Sequence, residues 1–399
     1  MKPFEAAKLG PLTLRNRFVK AATFEGVMPR GRVTNQLVDF HTEVARGGAA
    51  MTTVAYCSVS KAGRVHANTL VLDSDHVPDL RRLTDAVHAE GALACAQIGH
   101  AGLVANTLSN KSKTLAPSTR LSPPAMGLVR GATLDQLDEI VEQFESAARN
   151  AVDAGFDALE VHLGHNYLLS SFMSPNLNKR RDRYGGNTSG RAEFPRRVLG
   201  RIREAVGDQV AVTAKFNMAD GVPKGLWLDE SLQIAQWLEA DGNLDALQLT
   251  GGSSLLNGMY FFRGEVPMAE FVAAQPKLVG YGLKIYGPRI FPTYPFEEAF
   301  FLPMARQFRE ALSMPLILLG GINRIDTVEA ALEEGFEFVA MARALLRDPY
   351  LVEKFRGREV REGLCIHCNK CMPTIYQGTH CVLRNTDVMR DTGVGNNTL

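Results

Sequence analysis

The chain has 399 residues, 45% of them hydrophobic and 22% charged, which suits a large packed core and argues against disorder. A formal net charge of +1 argues against nucleic acid or an anionic membrane surface as the main partner. The N-terminal stretch MKPFEAAKLGPLTLRNRF lacks the apolar region of a secretory leader, and no apolar run reaches membrane-spanning length, so a soluble, cytoplasmic protein is expected.

In chain order, eight short apolar runs bounded by Gly, Asp or Pro read as strands covered on both faces: RFVKAAT (17–23), AAMTTVAY (49–56), ALACAQI (92–98), DALEVH (157–162), QVAVTAKF (209–216), LDALQLT (244–250), PLILLG (315–320) and FEFVAMA (336–342). Helical patterns such as LDQLDEIVEQFESAARNAVDAG and IDTVEAALEEG separate most of them. Eight strands alternating with helices predict an α/β fold, a (β/α)8 TIM barrel over 1–356, rather than an open doubly wound sheet. No GxGxxG follows the first strand, which weakens a dinucleotide fold. Two stretches rich in Gly, Pro, Ser and Asn, 99–131 and 251–292, follow strands and are read as loop insertions on the C-terminal face. Residues 357–399 form a short Cys-rich C-terminal extension.

Polar groups at the C-terminal ends of barrel strands are more often functional than core-filling. Here those ends carry Thr23, Ala55, Gln97, His162 with His165 and Tyr167, Lys215, Gly320 with Gly321, and Ala342 with Arg343. Each alone has a structural explanation, such as a satisfied core histidine or a lysine paired with an acid. Seven strand ends contributing to one rim point to a site. The glycine pair of LLGGI and the turn MARALL each open a helix after strands seven and eight, the usual phosphate position of this fold, and Arg343 adds a guanidinium.

Six cysteines do not suggest a disulfide framework in a chain this long. Cys57 and Cys95 lie in strand-like runs and read as small buried thiols. CIHCNKCMPTIYQGTHC gathers Cys365, Cys368, Cys371 and Cys381, a spacing seen among cluster ligands. A [4Fe–4S] cluster, a zinc site that could draw on His367 or His380, and free thiols all remain open on these residues.

The elements LRNRFVKAAT, GRVTNQLVDFH, AQIGHAG, AGFDALEVHLGHNYLLSSFMSPNLNKRRDRYGG, VTAKFN, LGGI and MARALLRDP resemble the Old Yellow Enzyme group of FMN-dependent oxidoreductases, from about residue 4 to residue 356. The resemblance implies FMN with Ala22, Thr23 and Ala55 against its ring, Gln97 on the pyrimidine edge and Lys215 near N1 and O2. It places the phosphate on Gly321, Ala342 and Arg343, beside Gly320. A fixed cation near N1 stabilises the reduced ring. Many relatives use arginine there, and lysine keeps the charge without the bidentate fork. The resemblance also implies that His162 and His165 bind the carbonyl oxygen of an activated alkene. Tyr167, a phenol of pKa about 10, would protonate the α-carbon. NAD(P)H would reduce the flavin in the first half-reaction.

The C-terminal cysteines resemble the iron–sulfur branch of that group, represented by trimethylamine dehydrogenase and 2,4-dienoyl-CoA reductase. This implies single-electron exchange with the flavin and an external redox protein as partner. The chain departs from the group at Ala21-Ala22-Thr23-Phe24-Glu25, and Leu103 stands where the HAGR element has arginine. The expected activity is reduction of an activated C=C bond in a small-molecule substrate. The alternatives are a dehydrogenase or demethylase feeding the cluster, a barrel lyase with Lys215 as Schiff base, and a non-catalytic flavin subunit. A homo-oligomer is compatible with all of them.

Overall fold

Thr133 caps the helix that best illustrates how this chain builds its outer layer. Its side chain accepts from the Gln136 N–H, and the Gln136 side chain reaches back, closing a capping box at the start of α3 (Leu134–Asp153). Leu137, Ile140, Val141, Phe144, Ala147, Ala148 and Ala151 then fall at three- and four-residue spacing and are buried against the barrel. Truncating Phe144 to alanine there would cost about 3–5 kcal/mol.

The computed structural model describes residues 1–274, 280–282, 284–285, 287 and 291–384. Among the described residues, eight parallel strands close on themselves: β1 (Phe18–Lys20), β2 (Met51–Ser58), β3 (Leu93–Gly99), β4 (Ala158–Leu163), β5 (Ala211–Asn217), β6 (Ala246–Thr250), β7 (Leu316–Leu319) and β8 (Phe338–Met341). Each pairs with its neighbours in sequence order, and β8 returns to β1 through Val339 opposite Phe18 and Met341 opposite Lys20. This is the expected (β/α)8 barrel. Its outer helices include α1 (Asn35–Arg46), α2 (Val77–Ala89), α3, α4 (Thr188–Val206), α5 (Leu228–Asp241), α6 (Leu302–Ala311), α7 (Ile325–Glu333) and the short α8 (Arg343–Arg347).

A hairpin, Ala7–Leu9 against Leu12–Leu14, plugs the N-terminal end. Its Ala7, Leu9 and Leu14 pack on Met51, Cys95, Ala158, Ala211, Ala246 and Phe338 inside the barrel. With that end filled by small and apolar groups, the open end is the C-terminal one.

The first insertion is more ordered than a loop. Leu115–Ala116, Arg120–Ser122 and Gly127–Gly131 form a small three-stranded sheet. Parts of the second insertion (275–279, 283, 286 and 288–290) and the end of the expected extension (385–399) lie outside the described residues. Residues 357–384 pack back over the barrel mouth, where Thr379 N–H donates to Glu25 O at 2.7 Å.

No helix among the described residues is long and apolar enough to cross a membrane.

Candidate active site at the barrel mouth

The strands deliver their last residues to one cavity of about 280 Å³. Ala22 and Thr23 line it after β1, Gln97 on β3, His162, His165 and Tyr167 on and after β4, and Lys215 on β5. Gly320 and Gly321 follow from β7, and Ala342 and Arg343 from β8. Ala55 is not among the lining residues. Its N–H donates to Glu25 Oε2 at 2.9 Å and its carbonyl accepts from Glu25 N–H at 3.1 Å. The register of β2 on β3 shifts between Val54 and Cys57, and such an irregularity re-aims side chains. The residue that reaches the cavity is Tyr56, whose hydroxyl donates to Gly63 O at 2.7 Å.

The floor is a buried polar layer centred on Glu160. Its Oε1 accepts from Lys215 Nζ at 2.9 Å and from Gln97 Nε2 at 2.7 Å, and its Oε2 accepts from Gln248 Nε2. All four residues sit at alternating inward positions of adjacent strands. Lys215 faces the cavity as an ion-paired group, its countercharge on the neighbouring strand.

Above the floor the aromatic groups meet. His162 and Tyr167 have ring centres 4.3 Å apart, and His162 and His165 5.3 Å apart. The backbone turns sharply after β4, with His165 and Asn166 both at φ 58°, a left-handed conformation that side-chain bonds hold in place. Asn217 Oδ1 accepts from His165 N–H at 3.1 Å and Asp220 Oδ1 accepts from Asn166 Nδ2 at 3.0 Å. His165 Nε2 shares a hydrogen with Thr250 Oγ1 at 3.0 Å, and its ring stacks on Phe261 at 4.4 Å.

Burial pulls His162 well below the ordinary imidazole value, helped by His165 and Lys215. His165 is lowered to about 3 by burial and then by Lys215. Both rings are therefore neutral at pH 7. His162 Nδ1 is buried with no hydrogen-bond partner among the described residues, so a bound molecule can satisfy it.

Cys365, Cys368, Cys371 and Cys381 line a second, small cavity of about 20 Å³ together with Arg343 and Leu346. Cys371 also lines the main cavity. All four are free thiols. Burial raises Cys365 and pushes Cys371 up to about 12, against the pull of Arg343. Arg343 donates to Asn369 Oδ1 and, at 3.3 Å, to Arg263 O, which ties the β8 exit to the cysteine segment. Among the described residues, no three His, Cys, Asp or Glu side chains stand where they could hold a single metal ion. Four thiols around one pocket beside a guanidinium remain the type of donor set that an iron–sulfur cluster takes.

Several lining residues escape the sequence reading. Tyr56 depends on a register shift, and Phe261, Phe262 and Ser254 come from an insertion without periodicity. Phe300 and Phe301 cover the glycine pair: a Cβ at Gly321 would lie 2.6 Å from the Phe300 ring. Glu160 and Gln248 were readable only as strand residues, although inward alternation with Gln97 and Lys215 was a usable signal.

Comparison with known proteins bears on what this site does. The profile of the NADH:flavin oxidoreductase / NADH oxidase family matches residues 2–249. The chain is 79% identical over 388 residues to 4,4'-dithiodibutanoate disulfide reductase of Rhodococcus erythropolis, covering 97% of this chain and 96% of that protein. It is 33% identical to a metal reductase of Desulforamulus reducens across 94% of this chain, but spans only 52% of that protein. Among solved structures, the Old Yellow Enzyme homologue of Zymomonas mobilis matches with a TM-score of 0.73 at 21% identity, over 97% of this chain and 99% of that one. Histamine dehydrogenase from Rhizobium sp. 4-9 matches with a TM-score of 0.78 at 22% identity, over 95% of this chain and 51% of that one. These two show a shared fold. The profile match and the full-length relative go further: this chain belongs to the NADH:flavin oxidoreductase family and is an FMN-dependent oxidoreductase.

Proposed function

We propose that the protein is an NAD(P)H-dependent reductase of organic disulfides of the 4,4'-dithiodibutanoate kind. The observation that carries this reading is 79% identity, along nearly the whole of both chains, to a disulfide reductase. The site suits FMN: Ala22, Thr23, Gln97 and Lys215 would hold the ring, and Gly320, Gly321, Ala342 and Arg343 the phosphate. Bound FMN supplies a hydride taken from NAD(P)H.

The chain's own groups then manage the disulfide. Its S–S bond breaks as one sulfur takes the hydride and the other leaves as a thiolate. Tyr167 gives its proton to the leaving sulfur, so two electrons and two protons convert one disulfide to two thiols. The neutral His162 hydrogen-bonds the leaving sulfur through Nδ1, otherwise unpartnered, while Thr250 and Phe261 fix His165 in place. Tyr56 and Phe261 wall the site and exclude water.

A second substrate class, the activated alkene, fits the same groups. The convergence of His162, His165 and Tyr167 favours it, since the histidines can hold a carbonyl oxygen while Tyr167 protonates carbon. We infer that the four C-terminal thiols hold a [4Fe–4S] cluster, which would supply single-electron exchange with an external redox protein. The two-electron reduction of the disulfide does not require it.

The test is anaerobic incubation of the purified protein with NADH or NADPH and either 4,4'-dithiodibutanoate or 2-cyclohexenone, with products followed by mass spectrometry. Two 4-mercaptobutanoates per nicotinamide oxidised support disulfide reduction. Turnover of the enone with no thiol released transfers the assignment to the alkene class.

A further inference from the structure

Lys20 is fully buried, at 0% exposure, on the side of β1 that faces α1. A lysine in such a place is costly and calls for a reason. Neither carboxylate that acts on it electrostatically is hydrogen-bonded to it: Glu25 Oε2 accepts from Ala55 N–H while its Oε1 has no hydrogen-bond partner among the described residues, and Glu160 is paired with Lys215. The ammonium instead spends its donors on neutral oxygens, Ala21 O at 2.6 Å and Thr23 Oγ1 at 2.9 Å, with the Phe40 ring centre 5.2 Å from Nζ. Burial draws Lys20 down to about 8, so the charge is still present at neutral pH.

A lysine ammonium only donates, so Thr23 Oγ1 is the acceptor in their bond. The Thr23 O–H is then free to donate elsewhere, and Thr23 lines the main cavity. A hydroxyl whose oxygen accepts from a cation is a stronger donor through its own hydrogen.

We propose that Lys20 is a positioning residue for the flavin: it fixes and polarises the Thr23 hydroxyl so that Thr23 donates to a ring carbonyl oxygen of bound FMN and raises its reduction potential. The inference rests on the reading that FMN fills this cavity. Ring oxygens gain negative charge on reduction, so a better donor favours the reduced form. Lys20 itself touches neither cofactor nor substrate in this arrangement. It acts through Thr23.

The experiment measures the potential of the bound flavin in the holoenzyme by dye-coupled titration, with FMN content and melting temperature as controls. Lys20→Met and Thr23→Val should each lower the potential by about a tenfold change in the oxidised-to-reduced equilibrium, about 30 mV for a two-electron couple. Placed in the Thr23→Val background, Lys20→Met should add less than about a threefold change, because its route to the ring is gone. Equal shifts in both backgrounds, or no shift in either, overturn the proposal. If Lys20→Met does not load FMN, Lys20→Gln, which keeps a donor and drops the charge, carries the same expected direction, and an unchanged potential there overturns it. Parental protein that releases no FMN on denaturation would instead remove the cofactor reading itself.

Discussion

Glu160 accepts the Lys215 ammonium at 2.9 Å inside the barrel, with 4% and 3% of the two side chains exposed. The cation that would face the reduced ring therefore has a countercharge on the neighbouring strand. Removing one member of a buried pair leaves the other uncompensated, at about 3–5 kcal/mol. Lys215→Met should destabilise by about that amount and weaken FMN binding. Lys215→Met with Glu160→Gln should recover most of the stability, because no charge is stranded. Denaturant unfolding of the three variants decides this, and simple addition of the two single losses would mean that the groups do not act as a pair.

Tyr167→Phe keeps the ring that packs on His162 at 4.3 Å and removes only the phenolic proton. Flavin reduction by NAD(P)H should survive, and reoxidation by the disulfide or an enone should slow by about 10²–10⁴. Stopped-flow absorbance of the two half-reactions separates them. Parental reoxidation rates would place the proton source elsewhere.

The histidines predict an acid limb. A histidine held at about 3 in the folded chain, against an ordinary 6.5, contributes stability that is complete above pH 6.5 and is lost as the pH falls toward 3. Between about pH 5.5 and 4 the loss from His165 is about 1.4 kcal/mol per pH unit. His165→Asn removes one of these protons, so its stability should fall less steeply with acid than that of the parent. Unfolding curves that stay parallel would show that His165 titrates as an ordinary surface imidazole.

Cys368 lines the small pocket with the other three C-terminal thiols, whereas of the four only Cys371 also reaches the main cavity. Cys368→Ser is therefore expected to lower iron content while FMN stays near stoichiometric. Metal analysis finding no iron in the parental protein would retire the cluster, and with it the reason to look for a redox-protein partner.

The barrel was legible because each strand is a continuous apolar run between breakers, and Glu160–Leu168 announces its chemistry by placing two imidazoles and a phenol at one strand end. What stayed hidden has physical causes. The sheet at 115–131 uses strands of two to five residues, too short for a period to register. Lys20 falls within a run read as covered, but nothing in the run marks it as the lysine that stays fully buried, since lysines almost never do. Lys215 was visible, but its partner was not, since pairing across strands depends on a register that one sequence does not print. The closure of the mouth by residues 357–384 joins positions more than 300 apart in the chain, as in the bond between Thr379 and Phe24 O.

That closure depends on a missing side chain. Gly26 sits at φ 68°, and a Cβ there would lie 2.0 Å from Ile375 O. Only a bare backbone lets the final segment seat on the loop leaving the first strand, where Thr379 then bonds to the carbonyls of Phe24 and Glu25. Met372, Ile375 and Thr379 thereby become part of the wall around the cavity. Residue 356 is thus where the chain leaves its cylinder and begins the roof over it. Trimmed there, the chamber becomes an open bowl, and the thiols leave together with its roof.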